Sequence, residues 1–400
     1  MTNTLAPLVV VETHPIQYHA PIYRVLQTRF GVPVTVIYAS DFSIAGYRDS
    51  EFGVSFAWDM DLLAGYTPIF LSRTQDGGAR NVDEVSATGL AAALGRCAPA
   101  AILLGGYRHR FHQTAIQTSW RMHSPVFFRG EVADHTVQRS PLKSWVRGAA
   151  LRSFYSVCSR LLYIGRRSHE HFRRLGVPDT KLIFSPYCVD TEPFQCTEED
   201  RANLRGLTRG KLEISDDAIV LLFCGKLSVR KGPDLLIDAV KALPEDLRSR
   251  VVILFVGSGE MRESLEQVAG AAPRIVVRFT GFQNQRHLSP YYHAADLLVM
   301  PSRNMETWGL VVNDALHHGL PCLVSSAVGC MPDLIVPGVT GDAFESRSIE
   351  ALRAGLDRAL HLIGKRETRG LCRERVSAYT VEHAAAGIAQ AYHSVVHVNA

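Results

Sequence analysis

Short apolar runs separated by longer amphipathic stretches, in two successive sets, restrict this chain more than any other feature. The first set is Leu8–Val11, Val34–Tyr38, Ala101–Leu104, Val126–Phe128, Leu161–Ile164 and Leu182–Phe184. The second is Ile219–Phe223, Val251–Val256, Ile275–Phe279, Leu297–Met300 and Cys322–Val324. A strand buried on both faces reads as an unbroken apolar run, and such strands belong to parallel sheets covered by helices. Helical stretches such as Pro233–Ala242, Met261–Ala269 and Val312–His318 lie between the runs. Two sets predict two doubly wound α/β domains rather than one large sheet. The 400 residues are enough for two to three domains at roughly 150 each. The charged stretch Thr191–Asp217 lacks an apolar run and marks the boundary. The expected division is residues 1–195, residues 196–380 and a terminal segment, 381–400. Its helix, Val381–Val396, carries an apolar stripe at Ala384, Ile388, Ala391 and Val395 that suits packing back across the junction.

Composition excludes several classes. With 46% hydrophobic and 20% charged residues the chain is ordinary globular protein. No apolar run reaches the roughly 18 residues a membrane span needs. The start of the chain lacks the basic segment of a secretory leader. A net charge of +4 is too small to argue for nucleic acid. The eight cysteines form no Cys-x-x-Cys pair, which predicts reduced thiols, no zinc site and a cytoplasmic location.

Two segments carry chemistry. The run Val220–Phe223 leads into Cys224-Gly225-Lys226-Leu227-Ser228-Val229-Arg230-Lys231-Gly232, and a helix starts near Pro233. Cations beside a glycine turn at a strand end, just ahead of a helix N-terminus, suit a phosphate; the alternative is a solvated turn. The Gly-x4-Gly-Lys-Ser/Thr spacing of a P-loop is absent. The second segment is Pro301-Ser302-Arg303-Asn304-Met305-Glu306-Thr307-Trp308-Gly309-Leu310, with Asp314 in the helix that follows. Eight residues separate the two carboxylates, a little over two helical turns, so both can face one elongated ligand; otherwise they have separate tasks.

These residues resemble, in order, the motifs of retaining glycosyltransferases of family 4, also called glycosyl transferases group 1. Gly225-Lys226-Leu227…Lys231-Gly232 resembles the family's Gly-Arg-Leu…Lys-Gly clamp, and Val256-Gly257-Ser258-Gly259 its Gly-x-Gly turn. Phe279-Thr280-Gly281-Phe282, Tyr291-Tyr292…Ala295-Asp296 and Pro301-Ser302 follow. Glu306…Asp314 resembles the Glu-x7-Glu signature, and Gly319-Leu320-Pro321 and Gly338-Val339-Thr340-Gly341 close the series over about 125 residues. The resemblance implies the GT-B fold: two facing Rossmann-like domains with a cleft between them. It implies that Gly225, Lys226 and Lys231 hold the donor's diphosphate, with the two lysines acting in catalysis. Glu306 would act in catalysis with them and hold donor sugar hydroxyls, with Thr307, Trp308, Gly309 and Leu310 beside it. Asp314 would take the ribose, and Phe282 and Gln283 would face the base. The chain departs from the family at Lys226, where Arg is usual, at Asp314, where Glu is usual, and at Tyr187-Cys188-Val189-Asp190, where the family has Asn-Gly-Val-Asp.

In the first half, His14-Pro15-Ile16-Gln17-Tyr18 replaces a glycine-rich loop after the first run and resembles a bacterial subset of the family. His14, Gln17 and Tyr18 sit where doubly wound sheets place ligands and are acceptor-side candidates, the alternative being loop packing. Arg129 and Glu131, flanking Gly130 after Val126–Phe128, are candidates for both catalysis and the acceptor side, or else a pair capping the next helix; His135 is a further acceptor-side candidate. Asp59-Met60-Asp61 lacks the context of a metal site. Gly257-Ser258-Gly259 lacks the third glycine of a dinucleotide turn. His109-x-x-His112 and His393-x3-His397 lack a carboxylate partner and read as surface or interface histidines.

The expected activity is transfer of a sugar from a nucleotide diphosphate sugar to a saccharide or lipid-linked acceptor, in bacterial surface polysaccharide or glycoconjugate synthesis. The nucleotide-sugar is a co-substrate, and neither cofactor nor metal is expected. A GT-B epimerase or hydrolase, or a non-catalytic nucleotide-sugar-binding protein, are the alternatives. The basic residues of 139–174, interleaved with Leu142, Trp145, Leu151 and Phe154, form either a solvated helix face or a peripheral contact with the inner face of a membrane.

Overall fold

The computed structural model describes residues 5–48, 55–56, 58–131, 134, 140–195, 197–272 and 274–396. His135, Arg139 and His397 lie outside these. The first sheet contains β1 (Leu8–Glu12), β2 (Val34–Tyr38), β5 (Thr67–Phe70), β6 (Ala101–Leu104), β7 (Val126–Phe128), β8 (Arg160–Tyr163) and β9 (Leu182–Phe184), in the order β5-β2-β1-β6-β7-β8-β9. A separate ribbon pairs β3 (Tyr47–Arg48) with β4 (Ser55–Phe56). The second sheet contains β10 (Ile219–Cys224), β11 (Val251–Val256), β12 (Val276–Phe279), β13 (Leu297–Met300), β14 (Cys322–Ser325) and β15 (Gly341–Phe344), in the order β12-β11-β10-β13-β14-β15. Every pairing within these two sheets is parallel.

All eleven expected runs are strands. Two edge strands were not expected, β5 and β15. Thr-Pro-Ile-Phe carries a proline and is only half-buried, and Gly-Asp-Ala-Phe has no apolar run. An edge strand pairs on one side only, so it tolerates both, and its sequence signal is weak.

Each sheet is covered on both faces. Leu8 and Val10 point into one core and Val9 and Val11 into another. Val220 and Leu222 likewise oppose Leu221 and Phe223. The helix Val381–Val396 belongs to the first domain's core through Ala384, Ile388, Ala391 and Tyr392, while Val395 is only partly buried. It lies so close to β9 that a Cβ on Gly387 would stand 2.0 Å from the Phe184 carbonyl oxygen. Ser185 Oγ donates to the Ala384 carbonyl (2.9 Å) and Tyr392 OH to that of Ala6 (2.6 Å).

Both sheets reverse winding direction once. In the first, the chain runs outward from β1 to β2 and β5, then returns to β6 beside β1. In the second it runs from β10 to β11 and β12, then returns to β13 beside β10. The loops after β1 and β6, and after β10 and β13, diverge at these points and leave crevices for ligands.

Glycine packing supplies a stability test with two signs. Gly387→Ala should cost about 2 kcal/mol through overpacking. Gly206→Ala, at a helix position where a Cβ meets nothing within 4 Å, should gain about 0.5–1 kcal/mol. Urea unfolding of both variants measures the difference.

Candidate functional site

The loop after β10 opens with Gly225 (φ +139°), and Gly257 (φ +143°) crosses it so closely that a Cβ there would stand 1.9 Å from the Gly225 carbonyl oxygen. Two strand–helix turns are thereby stacked. The Gly225–Gly232 loop then runs to the helix Pro233–Lys241 and carries Lys226, Arg230 and Lys231. The loop after β13 brings Glu306 against it. Glu306 is 7% exposed, so its charge needs partners. Lys231 Nζ donates to Oε2, Arg230 Nη1 lies 3.5 Å from the same oxygen, and Ser302 Oγ donates to it at 3.2 Å. Lys226 lines the same hollow. Among the described residues, Lys226, Arg230 and Lys231 outnumber Glu306 and Glu131 in this hollow and leave it positive, as an anionic ligand requires. Gly309 (φ +102°) caps the helix Leu310–His317, whose N-terminus opens on the same space.

Two adjoining hollows of roughly 1270 and 790 Å³ form the cleft, sharing Gln17, Tyr18, Trp58, Gly225, Leu310 and Val311. The larger contains the cationic corner, Thr307, Gly309, His14 and Glu131. The smaller extends to Phe282, Gln283 and Asp314. Asp314 is 4% exposed. Gln285 Nε2 and Tyr292 OH each donate to it at 3.3 Å, yet burial prevails and raises its pKa to about 7.

On the first domain's side, His14 stacks on Phe42 and shares a 2.9 Å hydrogen bond with Thr13; burial lowers its pKa to about 4, so its imidazole is neutral at pH 7. Gln17 Oε1 is buried with no partner among the described residues. Tyr18 packs on Tyr187, ring centres 5.5 Å apart. Glu131 spans the cleft: Tyr187 OH donates to Oε1 and Thr307 Oγ1 to Oε2 at 2.6 Å.

Two expectations need correction, on Arg129 and His112. Arg129 does not line the cleft. Its guanidinium is buried, donates to Ser185 O, Ser185 Oγ and Pro186 O, and lies 5.2 Å from the Tyr187 ring centre. It props the interdomain segment from beneath, because those carbonyls would otherwise be buried unpaired. Trp308 borders the larger hollow, but its ring is buried: Nε1 donates to Asn313 Oδ1 (2.8 Å), and the ring packs on Tyr187, Tyr379 and the Gly165 backbone. His112 is not a surface residue. It lies buried against Gly106.

Sequence reasoning missed Arg230, Tyr187, Gln285 and Trp58, which line the cleft, and the buried Glu12, which lines neither hollow. Glu12 ends β1, buried, and accepts from Tyr23 OH (2.6 Å) and His19 Nδ1 (2.9 Å). Burial pushes its pKa up; His19 and Tyr23 outweigh that and hold it down. An acid closing an apolar run was the available signal. The rejected Asp59-Met60-Asp61 is a turn, with Asp61 Oδ1 accepting from Leu63 N and Ala64 N, and it brings Trp58 and Met60 to the cleft wall.

Residues 205–370 match the family model for glycosyl transferases group 1. A D-inositol 3-phosphate glycosyltransferase of Actinosynnema mirum is 37% identical over 198 residues, 45% of this chain and 46% of that protein. The chain thus spans just under half the length of that relative. Among solved structures, a glycosyltransferase of Rickettsia africae superposes with a TM-score of 0.69 at 12% identity, over 98% of this chain and 99% of that one. HepE of Anabaena, in complex with UDP, gives 0.69 at 16% identity over 97% and 100%. The fold is GT-B.

The buried Asp314 sets a pH dependence. An unfolded aspartate titrates near 4, so between about pH 4 and 7 the folded chain holds a proton that the unfolded chain has released, and stability falls as pH rises through that window. The parent should lose on the order of 2 kcal/mol between pH 5 and 7 that Asp314→Asn retains. Urea unfolding of both proteins at the two pH values measures it.

Proposed function

We propose that this chain is a retaining glycosyltransferase that moves a sugar from a nucleoside diphosphate sugar to a saccharide or lipid-linked acceptor. The observation that carries this reading is the meeting of Lys226, Arg230 and Lys231 with Glu306 at the β10–β13 crevice, in one groove with Asp314. The cations neutralise the charge that grows on the diphosphate as the sugar–phosphate bond breaks. Glu306, already held by Lys231, accepts hydrogen bonds from sugar hydroxyls. Asp314 accepts from the ribose, and Phe282 and Gln283 face the base. The departing phosphate oxygen takes the acceptor's proton on the face where the new bond forms, so no protein nucleophile is needed. His14, Gln17 and Glu131 line the acceptor's approach. The chain's own cations supply the charge, and the reading is metal-independent. The family match, and the UDP held by the Anabaena neighbour, support it.

The setting proposed is bacterial glycoconjugate or polysaccharide synthesis at the inner face of the membrane. Among the described residues no helix is long and apolar enough to cross a membrane. The helix Pro141–Val157, however, leaves Leu142 (71% exposed) and Trp145 (68% exposed) facing outward beside Val146. Residues 140–169 contain six Lys and Arg and no Asp or Glu. That combination suits an anionic lipid surface. Binding to phosphatidylglycerol vesicles should fall at least tenfold between 50 and 300 mM salt and weaken in Trp145→Ser; absence of binding at low salt removes this contact.

A thermal-shift screen of UDP-, GDP- and ADP-sugars tests the donor site. One donor class should raise the melting temperature of the parent, less so in Lys231→Ala and Glu306→Ala. Turnover with saccharide, lipid and inositol phosphate acceptors should drop about 10²–10³-fold in Lys231→Ala. Donor hydrolysis regardless of acceptor favours the epimerase or hydrolase alternative; binding without turnover favours a non-catalytic binder.

A further inference from the structure

At the opposite end of the second sheet from the cleft, before β13 and β14, lies a small pocket. Its walls include Arg201, His293, Gly319, Lys365, Thr368 and Arg369. The helix Arg366–Val376 begins at this pocket, and its N-cap residue, Lys365, provides no side-chain cap. The first turn's N–H groups therefore remain to be satisfied from outside the helix. Arg201 faces this turn from the helix Glu198–Lys211. It is half-buried and makes no hydrogen bond or ion pair among the described residues. Burial, and then repulsion from Arg369 and Arg205, lower its pKa. The acids of this corner are already engaged. Glu198 pairs with Arg369 (3.1 Å) and Arg373 (3.2 Å), and Asp296 pairs with Arg205 and Arg209 (2.7 Å each). Of the pocket's lysine and arginine residues, Arg201 and Lys365 are the ones with no paired acid among the described residues. His293, only 2% exposed, meets the Gln195 carbonyl through Nε2 and leaves Nδ1 buried without a partner. A half-buried guanidinium among like charges is held at a cost unless an anion joins it.

We propose that this pocket binds a phosphate group, free or as a small phosphoester, independently of the cleft. Phosphate oxygens accept from Arg201, Lys365 and the helix's first-turn amides. The P–OH of hydrogen phosphate, or of an ester in its monoanion form, donates to the neutral His293 Nδ1, which a sulfate dianion cannot do.

The test is isothermal titration of the full chain with inorganic phosphate at constant ionic strength. It uses the Lys231→Ala background, so that the cleft's clamp does not contribute, and is repeated in Lys226→Ala. One phosphate per chain should bind, and adding Arg201→Gln or Lys365→Gln should weaken it at least tenfold. Sulfate should bind at least fivefold more weakly than phosphate. Without phosphate, Arg201→Gln should melt no lower than its background, since it relieves repulsion; a merely structural Arg201 would lower that melting temperature. Glycerol 3-phosphate run in parallel identifies the occupant, an ester if it binds more tightly than phosphate and the free ion if it does not. No saturable binding in either background, or equal affinity with and without Arg201 and Lys365, overturns the proposal.

Discussion

A carboxylate buried at the rim of a parallel sheet has to be paired, and the second domain's cleft face is organised around the pairing of Glu306 with Lys231. The two residues come from loops that follow neighbouring strands, β10 and β13, at the place where winding reverses. A closely packed glycine fixes each side: a Cβ on Gly257 would run into the Gly225 carbonyl, and one on Gly309 would press on Val328 and Met300. The pair keeps Glu306 aimed at the opening, and it brings the lysine to the same spot. Arg230 and Lys226 then make the corner net positive without exposing the acid to solvent.

The first domain is coupled to this corner by few but specific contacts. Glu131 holds Tyr187 and Thr307 at once, and Asn313 Nδ2 donates to the Tyr187 carbonyl at 3.3 Å. Arg166 N donates to Asp333 Oδ1 at 2.8 Å. Tyr187, Trp308 and Tyr379 pack in series through the junction, their rings tilted against one another. Arg129 supports this series from below through the Ser185 and Pro186 carbonyls. The terminal helix closes the arrangement by returning to the first domain's core. A ligand that engages Glu131 or Thr307 thus acts on the contacts between the domains as well as on the site.

Legibility from sequence followed burial. Strands enclosed on both faces appear as unbroken apolar runs because water is excluded from both sides, and all of these were visible. Edge strands β5 and β15 were not, since one side of each needs no partner. On the second domain the cleft position of most candidate residues was legible as well, with Arg230 and Gln285 the exceptions. The cation loop and the Glu306–Asp314 spacing are local patterns, and the fold sets them side by side. The first domain's side was legible only in part. His14, Gln17, Tyr18 and Glu131 do line the cleft, but Arg129 looked the same in sequence and serves the backbone instead.

The sequence by itself determined the two doubly wound domains, the strands that build them and the loops that carry charge. These follow from hydrophobic periodicity and turn chemistry over a few residues. Only the tertiary structure decided which charged groups face the cleft and which are spent on packing. Glu131 meets Thr307 across 176 residues, and Arg129 meets Ser185 across 56. No local pattern encodes such pairings, because the partner of a buried polar group is whatever the folded chain brings within hydrogen-bonding distance, and burial makes that partner obligatory.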